Sequence, residues 1–240
     1  MRLFALTVPA GDVEVVSDRC WLAGAAGIWE SEEAHGSAEL RVGVEEADVD
    51  RFTSALHELG PVDVTDEEQV LLATQTVQLG PVVLQVPPTV FGDGLHPTTA
   101  TCLALLEALV SPGTRLLDVG CGSGALSVVA ARAGAVVTAI DVDPDAAEAT
   151  VANAAANGVE VDASTTPLAD VEGTYDVVVA NVSAQPIIDL AEELWRVCAG
   201  TLVVSGILAD RWPEVQDRLG GTVREVHDVS GWITASVTRS

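Results

Sequence analysis

The apolar positions of this 240-residue chain follow two regimes. Over the first 65 residues they come in short sets of mixed period. LFALTV at 3–8 reads as a strand, and residues 12–23 bring Val13, Val16, Cys20 and Ala23 onto one helical face. After Gly24 and Gly27, GIWESEE and SAELRVGV read as a strand pair about a polar turn at 34–37. EEADVDRFTSALHEL reads as a second amphipathic helix closed by Gly60, and VDVT after Pro61 as a last strand. Strand, helix, strand, strand, helix, strand is the split βαβ order of a small ferredoxin-like α+β domain, expected over residues 1–65. Residues 66–90, broken by Gly80-Pro81 and Pro87-Pro88, are expected to be a linker with one or two short strands.

From residue 98 onward wholly apolar strands alternate with helices. Helices are expected at about 98–110, 124–133, 144–156, 185–197 and 209–219. Between them lie TRLLDV, AVVTAI, a weak strand at VEVD, YDVVVAN and TLVVSG, followed by VREVHDV and WITASV. Strands without polar alternation are buried on both faces, which predicts an α/β, Rossmann-like, mostly parallel seven-stranded sheet over residues 91–240. The tight Ser230-Gly231 turn between the last two strands predicts one antiparallel edge.

Composition narrows the function. The 36 acids against 11 bases give a formal net charge of −25, and every base is arginine. Such a surface repels phosphate backbones, so it argues against nucleic acid as a partner and admits a basic protein. The same acidity and lysine avoidance also fit a salty habitat or a biased genome. No run approaches the roughly 18 apolar residues of a spanning helix, and the start lacks a signal h-region, so a cytoplasmic protein without membrane contact is expected. Cys20, Cys102, Cys121 and Cys198 form no CxxC pair and the four histidines are dispersed, so neither a disulfide frame nor a metal site is expected; the thiols read as reduced and partly buried. The oligomeric state is not encoded in these patterns.

LLDVGCGSGALSVVAARAG places Gly120, Gly122 and Gly124 between a buried strand and a helix, where a backbone must turn sharply and approach a ligand without Cβ atoms in the way. GCGSGA also satisfies the looser dinucleotide fingerprint, so a nicotinamide or flavin enzyme stays open. Asp118 ends the strand before the turn, where a carboxylate suits a cationic ligand better than a pyrophosphate. Asp141, 21 residues beyond Gly120 at the next strand end, is placed for ribose hydroxyls, followed by Val142; Asp143 and Pro144 start a helix with Asp143 as N-cap.

These features, with YDVVVANVSAQP at 175–186, resemble a class I S-adenosylmethionine-dependent methyltransferase. The loop FGDGLHPTT at 91–99 is similar to the FGTGxHPTT motif of the ribosomal protein L-eleven methyltransferase family and of the related electron-transfer-flavoprotein lysine methyltransferases. AGAAGIWESEE, DVGCGSG, IDVDP and VVSGIL extend the resemblance over nearly the whole chain. It implies an N-terminal ferredoxin-like domain that docks a protein substrate on a swinging linker, S-adenosylmethionine as cofactor, and methylation of lysine side chains and an N-terminal amine of a ribosomal protein. It also implies that Phe91, Gly92, Gly94, His96, Thr98 and Thr99 form the lid of the cofactor pocket, all but Gly92 touching the cofactor, with Thr98 or Thr99 capping the next helix and His96 a candidate base. Asn181 would take the substrate amine beside the methyl group as the catalytic residue, and Ser164 or Thr165 would lie in the adenine loop. Asp93 stands where the family has Thr, Val182-Ser183 departs from the usual apolar residues after Asn, and no Trp-rich segment precedes the loop. The alternatives are another protein's lysines, a small molecule, or a non-catalytic S-adenosylmethionine-binding protein.

Overall fold

Residues 2–9, 12–32, 37–44, 48–55, 63–67, 74–87, 90, 94 and 96–239 are described by the computed structural model. Two units, Met1–Ala73 and Thr74–Ser240, divide the chain. In the first, β1 (Arg2–Pro9), α1 (Val13–Leu22), β2 (Ala25–Glu32), β3 (Ser37–Val44), α2 (Val49–Ala55) and β4 (Asp63–Glu67) follow in order. The sheet runs β2-β3-β1-β4, antiparallel throughout, which is the ferredoxin-like arrangement. Its register sets Phe4 opposite Val42, Leu6 opposite Leu40 and Val8 opposite Ala38. All six are buried, under Val13, Val16 and Cys20 of α1 and Phe52 of α2. The Phe4 and Phe52 rings pack with centroids 5.0 Å apart, tilted 40° to one another. The expected extension of the second helix to residue 59 lies outside the described residues.

The second unit opens with the hairpin β5 (Gln75–Leu79) and β6 (Val82–Val86), then α3 (Pro97–Leu109), β7 (Arg115–Val119), α4 (Ala125–Arg132), β8 (Val136–Ile140), α5 (Pro144–Ala156) and β9 (Asp162–Ser164). A 3₁₀ turn at Leu168–Asp170 leads to β10 (Tyr175–Asn181), α6 (Ala184–Asp189), α7 (Ala191–Val197), β11 (Cys198–Leu208), α8 (Trp212–Leu219), β12 (Thr222–Val229) and β13 (Trp232–Thr238). The seven-stranded sheet has the order β12-β13-β11-β10-β7-β8-β9, with β13 antiparallel to both neighbours. Leu117, Val119, Val178, Ala180, Leu202 and Val204 point to one face under α6, α7 and α8. Leu116, Val137, Ala139, Val177, Val179 and Val203 point to the other, under α3, α4 and the hairpin. This double burial is what made the strands read as unbroken apolar runs.

Three local expectations change. The hairpin falls inside the stretch expected as a linker but belongs to the second unit, because Val77, Val82, Leu84 and Val86 are buried in its core. The helix expected over 185–197 is two helices: Leu190 leaves α geometry at φ −97°, ψ 10°, which lets Ile187 and Leu194 reach the same core. The third strand is Asp162–Ser164 rather than VEVD. All four cysteines are free and buried. Among the described residues no helix is long and apolar enough to cross a membrane.

Candidate active site

Chain order reverses at β7: the strands β8 and β9 extend the sheet to one side and β10 and β11 to the other. Ligands of open α/β sheets bind outside the carboxyl ends of the strands at such a switch point. The register puts Asp118 of β7 beside Ala139 and Val179, and Asn181 of β10 beside Ser205. The expected site residues Asp118, Asp141 and Asn181 thus lie at the carboxyl ends of three adjacent interior strands, β7, β8 and β10 respectively.

The turn from β7 to α4 explains its glycines. Gly120 has φ +77°, and a Cβ there would run into Val182 Cγ1. Gly124 has φ +82° and lies so close to Thr150 that a Cβ would meet its backbone and hydroxyl. A side chain at either position would therefore be strained as well as crowded. The Gly120 and Cys121 N–H groups both donate to the Ile140 carbonyl, at 2.8 and 3.2 Å. The Gly122 N–H donates to Asp141 Oδ2 at 2.9 Å. These three amides are committed within the protein, unlike those of a turn built to cradle a pyrophosphate.

The two acids differ in surroundings. Asp141 is half-buried, and its Oδ1 accepts the Asp143 N–H at 3.0 Å. One backbone donor per oxygen leaves further lone pairs on each for hydroxyl groups. Asp118 is buried, its Oδ2 accepts the Ser127 hydroxyl at 2.7 Å, and its Oδ1 has no hydrogen-bond partner. Burial pushes this carboxyl up to about 6; Asp141 nearby adds to the rise and the Ser127 hydrogen bond opposes it. A buried carboxylate oxygen without a partner is an unsatisfied acceptor that a cationic group would satisfy. Val142, next to Asp141, is 98% exposed, an apolar side chain beside that carboxylate.

On the other side of β7, Asn181 Nδ2 donates to Thr99 Oγ1 at 3.3 Å. Thr98 and Thr99 are buried, but neither caps α3. His96 does: its Nδ1 accepts the Thr98 N–H at 3.4 Å and lies 2.8 Å from Thr98 Oγ1, with Pro97 at the first helical position. The His96 ring packs edge-on against Trp232, centroids 5.2 Å apart. Asp143 caps α5 as expected, accepting the Asp145 N–H at 2.9 Å. Ser164 ends β9 with its carbonyl on the Asp141 N–H, but its hydroxyl is turned to Thr166, and Thr165 is exposed. Gly94 is buried; Phe91 and Gly92 lie outside the described residues.

Sequence reasoning missed Ser127, Thr150 and Trp232. Ser127 is a hydroxyl on an otherwise apolar buried stretch, ALSVVA, and that anomaly was its signal. Thr150 donates to the Gly122 carbonyl at 3.0 Å, with Cys121 Sγ at 3.3 Å. Trp232, whose buried indole N–H has no partner, carried no spacing signal at all.

The model of the family described as ribosomal protein L11 methyltransferase (PrmA) matches residues 30–240. The chain belongs to this family. A protein named ribosomal protein L11 methyltransferase from Geobacter sulfurreducens is 47% identical over 137 residues, 56% of this chain and 46% of that protein. One of the same name from Thermotoga neapolitana is 34% identical over 191 residues, covering 76% of this chain and 72% of that protein. The crystal structure of a ribosomal protein L11 methylase from Lactobacillus delbrueckii subsp. bulgaricus aligns with a TM-score of 0.59 at 29% identity, over 65% of this chain and 83% of that one. The chain spans about half the length of the first curated relatives it matches, 46%, 47% and 45%. As a PrmA-family chain, it carries its seven-stranded sheet as the class I methyltransferase fold.

Proposed function

We propose that this chain is an S-adenosylmethionine-dependent methyltransferase acting on the amines of a basic protein, with ribosomal protein L11 as its substrate. The observation that carries the reading is Asp118: a buried carboxylate whose Oδ1 has no partner, at the carboxyl end of β7 and beside the glycine turn. A buried charge of that kind calls for a cation, and the α-ammonium of S-adenosylmethionine is one. Asp141 would take the ribose hydroxyls, Val142 would cover one face of the adenine, and Gly120, Gly122 and Gly124 would admit the ligand close to the backbone. The committed amides of residues 120–122 and the acid at 118 weigh against the dinucleotide alternative.

When bound, S-adenosylmethionine supplies an electrophilic methyl group on a sulfonium. The residues of the chain then have to bind, align and exclude water, because transfer to an amine is an in-line displacement that needs a neutral nucleophile in a near-attack position. With the nitrogen end of its amide turned to Thr99, Asn181 presents its oxygen end to an amine N–H. That hydrogen bond aims the nitrogen lone pair at the methyl carbon. His96 is engaged as the cap of α3, which favours a positioning role over that of a base. The formal net charge of −25 supports a basic protein partner and disfavours nucleic acid. A cytoplasmic location follows from such a substrate.

The test is incubation with labelled S-adenosylmethionine and purified ribosomal protein L11, beside a lysate reaction, with the label located by mass spectrometry. The chain has no lysine, so its own side chains contribute no background. Label on lysines or the N-terminal amine of L11 is the expected result. Label only on another lysate protein keeps the chemistry and rejects the substrate. Absence of label with cofactor binding intact points to a non-catalytic binding protein.

A further inference from the structure

One face of α5 touches parts of the site that are distant in sequence. Ala146 and Ala149 pack against Val90, Thr150 holds the Gly122 carbonyl, and Asn153 and Asn157 meet strand β6. Ala146, Ala149, Thr150, Asn153 and the C-cap Asn157 are related by offsets of three or four residues to others of the set, which places all five on one side of the helix.

Asn153 is 1% exposed. Its Oδ1 accepts the Gln85 N–H at 2.7 Å, and its Nδ2 donates to the Gln85 carbonyl at 2.9 Å and the Ser123 carbonyl at 2.8 Å. Asn157 repeats the pairing one turn later: Oδ1 accepts the Val83 N–H at 2.9 Å, and Nδ2 donates to the Val83 carbonyl at 2.7 Å and to Asn153 O at 2.8 Å. The two amides thus offer β6 the alternating donors and acceptors of a neighbouring strand. They differ in one bond. The second proton of Asn157 returns to its own helix, whereas that of Asn153 goes to the glycine turn.

We propose that Asn153 is a positioning residue of the cofactor site, tying the strand that leads toward the His96 loop to the turn between Gly120 and Gly124. The proposal rests on reading that turn as the S-adenosylmethionine site. Strand β6 ends at Val86, Val90 packs on α5, and Gly94 packs against Leu79 of the same hairpin, so the hairpin and α5 together set where the chain enters α3. Asparagine suits the position because all three groups it meets are backbone and two of them are carbonyls. Aspartate would turn a charge and no donor toward those carbonyls.

Hydrogen exchange and titration with S-adenosylhomocysteine test the tie, using Asn153→Asp, Asn157→Asp and, as a stability control in the core on the other face of the sheet, Val215→Ala. At a temperature where all are folded, Asn153→Asp should speed exchange in residues 82–86 and 120–124 together. It should weaken S-adenosylhomocysteine about tenfold, the scale of one unsatisfied buried hydrogen bond, with kcat at saturating cofactor within about threefold of the parent. Asn157→Asp should speed exchange in 82–86 alone, and Val215→Ala should lower Tm without moving either segment or the affinity. Faster exchange confined to 82–86 in Asn153→Asp, with unchanged affinity, overturns the proposal and leaves Asn153 a strut for the hairpin. If Asn153→Asp does not fold, the parent protein decides: bound S-adenosylhomocysteine should slow exchange in 82–86, and no slowing overturns the tie. Coupled exchange in a parent that binds no S-adenosylhomocysteine overturns the cofactor reading instead and upholds the tie itself.

Discussion

The strand ends on either side of the switch point are built from opposite chemistry. Toward β8 stand two carboxylates, Asp118 and Asp141; toward β11 stand the amide of Asn181 and the hydroxyls of Thr99 and Ser205. A cation is held by charge, so the first end suits a sulfonium cofactor with its ammonium. A lysine amine must instead lose its proton before it can attack. A carboxylate beside it would raise its pKa and keep it an ammonium, whereas an amide oxygen accepts its N–H without favouring the charged form. The contrast teaches that, in the function proposed above, the acids bind and the neutral groups align.

The largest test of that division is Asp118→Asn. Removing the charge from a buried cation site should weaken S-adenosylmethionine by about a thousandfold, read by calorimetry, since loss of one partner of a buried charge pair costs several kcal/mol. In the parent, affinity should fall as pH drops below about 6, where burial has moved the carboxyl. Stability should move the other way. With a folded pKa of about 6 against the ordinary 3.8, the folded chain keeps a proton that the unfolded chain has released between those values. Stability of the parent therefore declines as pH rises through that window, by about 3 kcal/mol in all. Asp118→Asn escapes the decline, so its Tm should exceed that of the parent at neutral pH and match it near pH 4, while only the loss of cofactor affinity distinguishes a binding acid from a structural one.

Asn181 probes the neutral end. Asn181→Ala should lower kcat about a hundredfold while leaving cofactor affinity within about threefold, because it removes an aligning contact and no binding charge. Asn181→Asp sharpens the point: it restores an acceptor of the same size but holds the amine protonated, so activity should recover only as pH is raised. Equal loss of cofactor affinity in the alanine variant would break the comparison, since the two strand ends would then share one task.

How much of this was legible depends on whether a residue acts through its neighbours in sequence or in space. The strands of the second unit announced themselves because both faces are buried, and Asp118, Asp141 and Asn181 because each ends an apolar run. The ferredoxin-like unit was legible from the order of short periodic sets around Phe4, Leu6 and Val8. The hairpin at 75–86 was legible only as one or two short strands of a linker, because two five-residue strands interrupted by Gly80-Pro81 show no tie to the second unit until Asn153 and Asn157 supply the missing strand edge. The break at Leu190 was likewise invisible, since apolar spacing on both sides suits one long helix. Trp232 matters through contacts that no local pattern encodes, and Ser127 stood out only as a hydroxyl in an apolar stretch.

The cap on α3 gives a smaller effect. Replacing His96 by Ala removes the Nδ1 acceptor from the Thr98 N–H and the edge contact with Trp232, and should destabilise the fold by about 1 kcal/mol. His96→Asn, which restores a capping oxygen, should recover most of that in a thermal melt. If activity falls far more than stability and His96→Asn does not rescue it, His96 has a chemical part in the reaction and the neutral end is more than a scaffold.

The smallest effect separates alignment from mere packing. The Asn181–Thr99 hydrogen bond is 3.3 Å long, at the weak end of the useful range, yet it is what distinguishes the two ends of the Asn181 amide. Thr99→Val keeps the volume of this buried side chain and removes its hydroxyl, so the core around α3 stays filled while the amide loses the partner that orients it. A reduction of kcat by about threefold, with cofactor affinity unchanged, is expected from the loss of one weak hydrogen bond. An unchanged kcat would mean that the strand end alone fixes Asn181, and that the neutral side of the site, like the acidic side, is set by the sheet rather than by the helix packed against it.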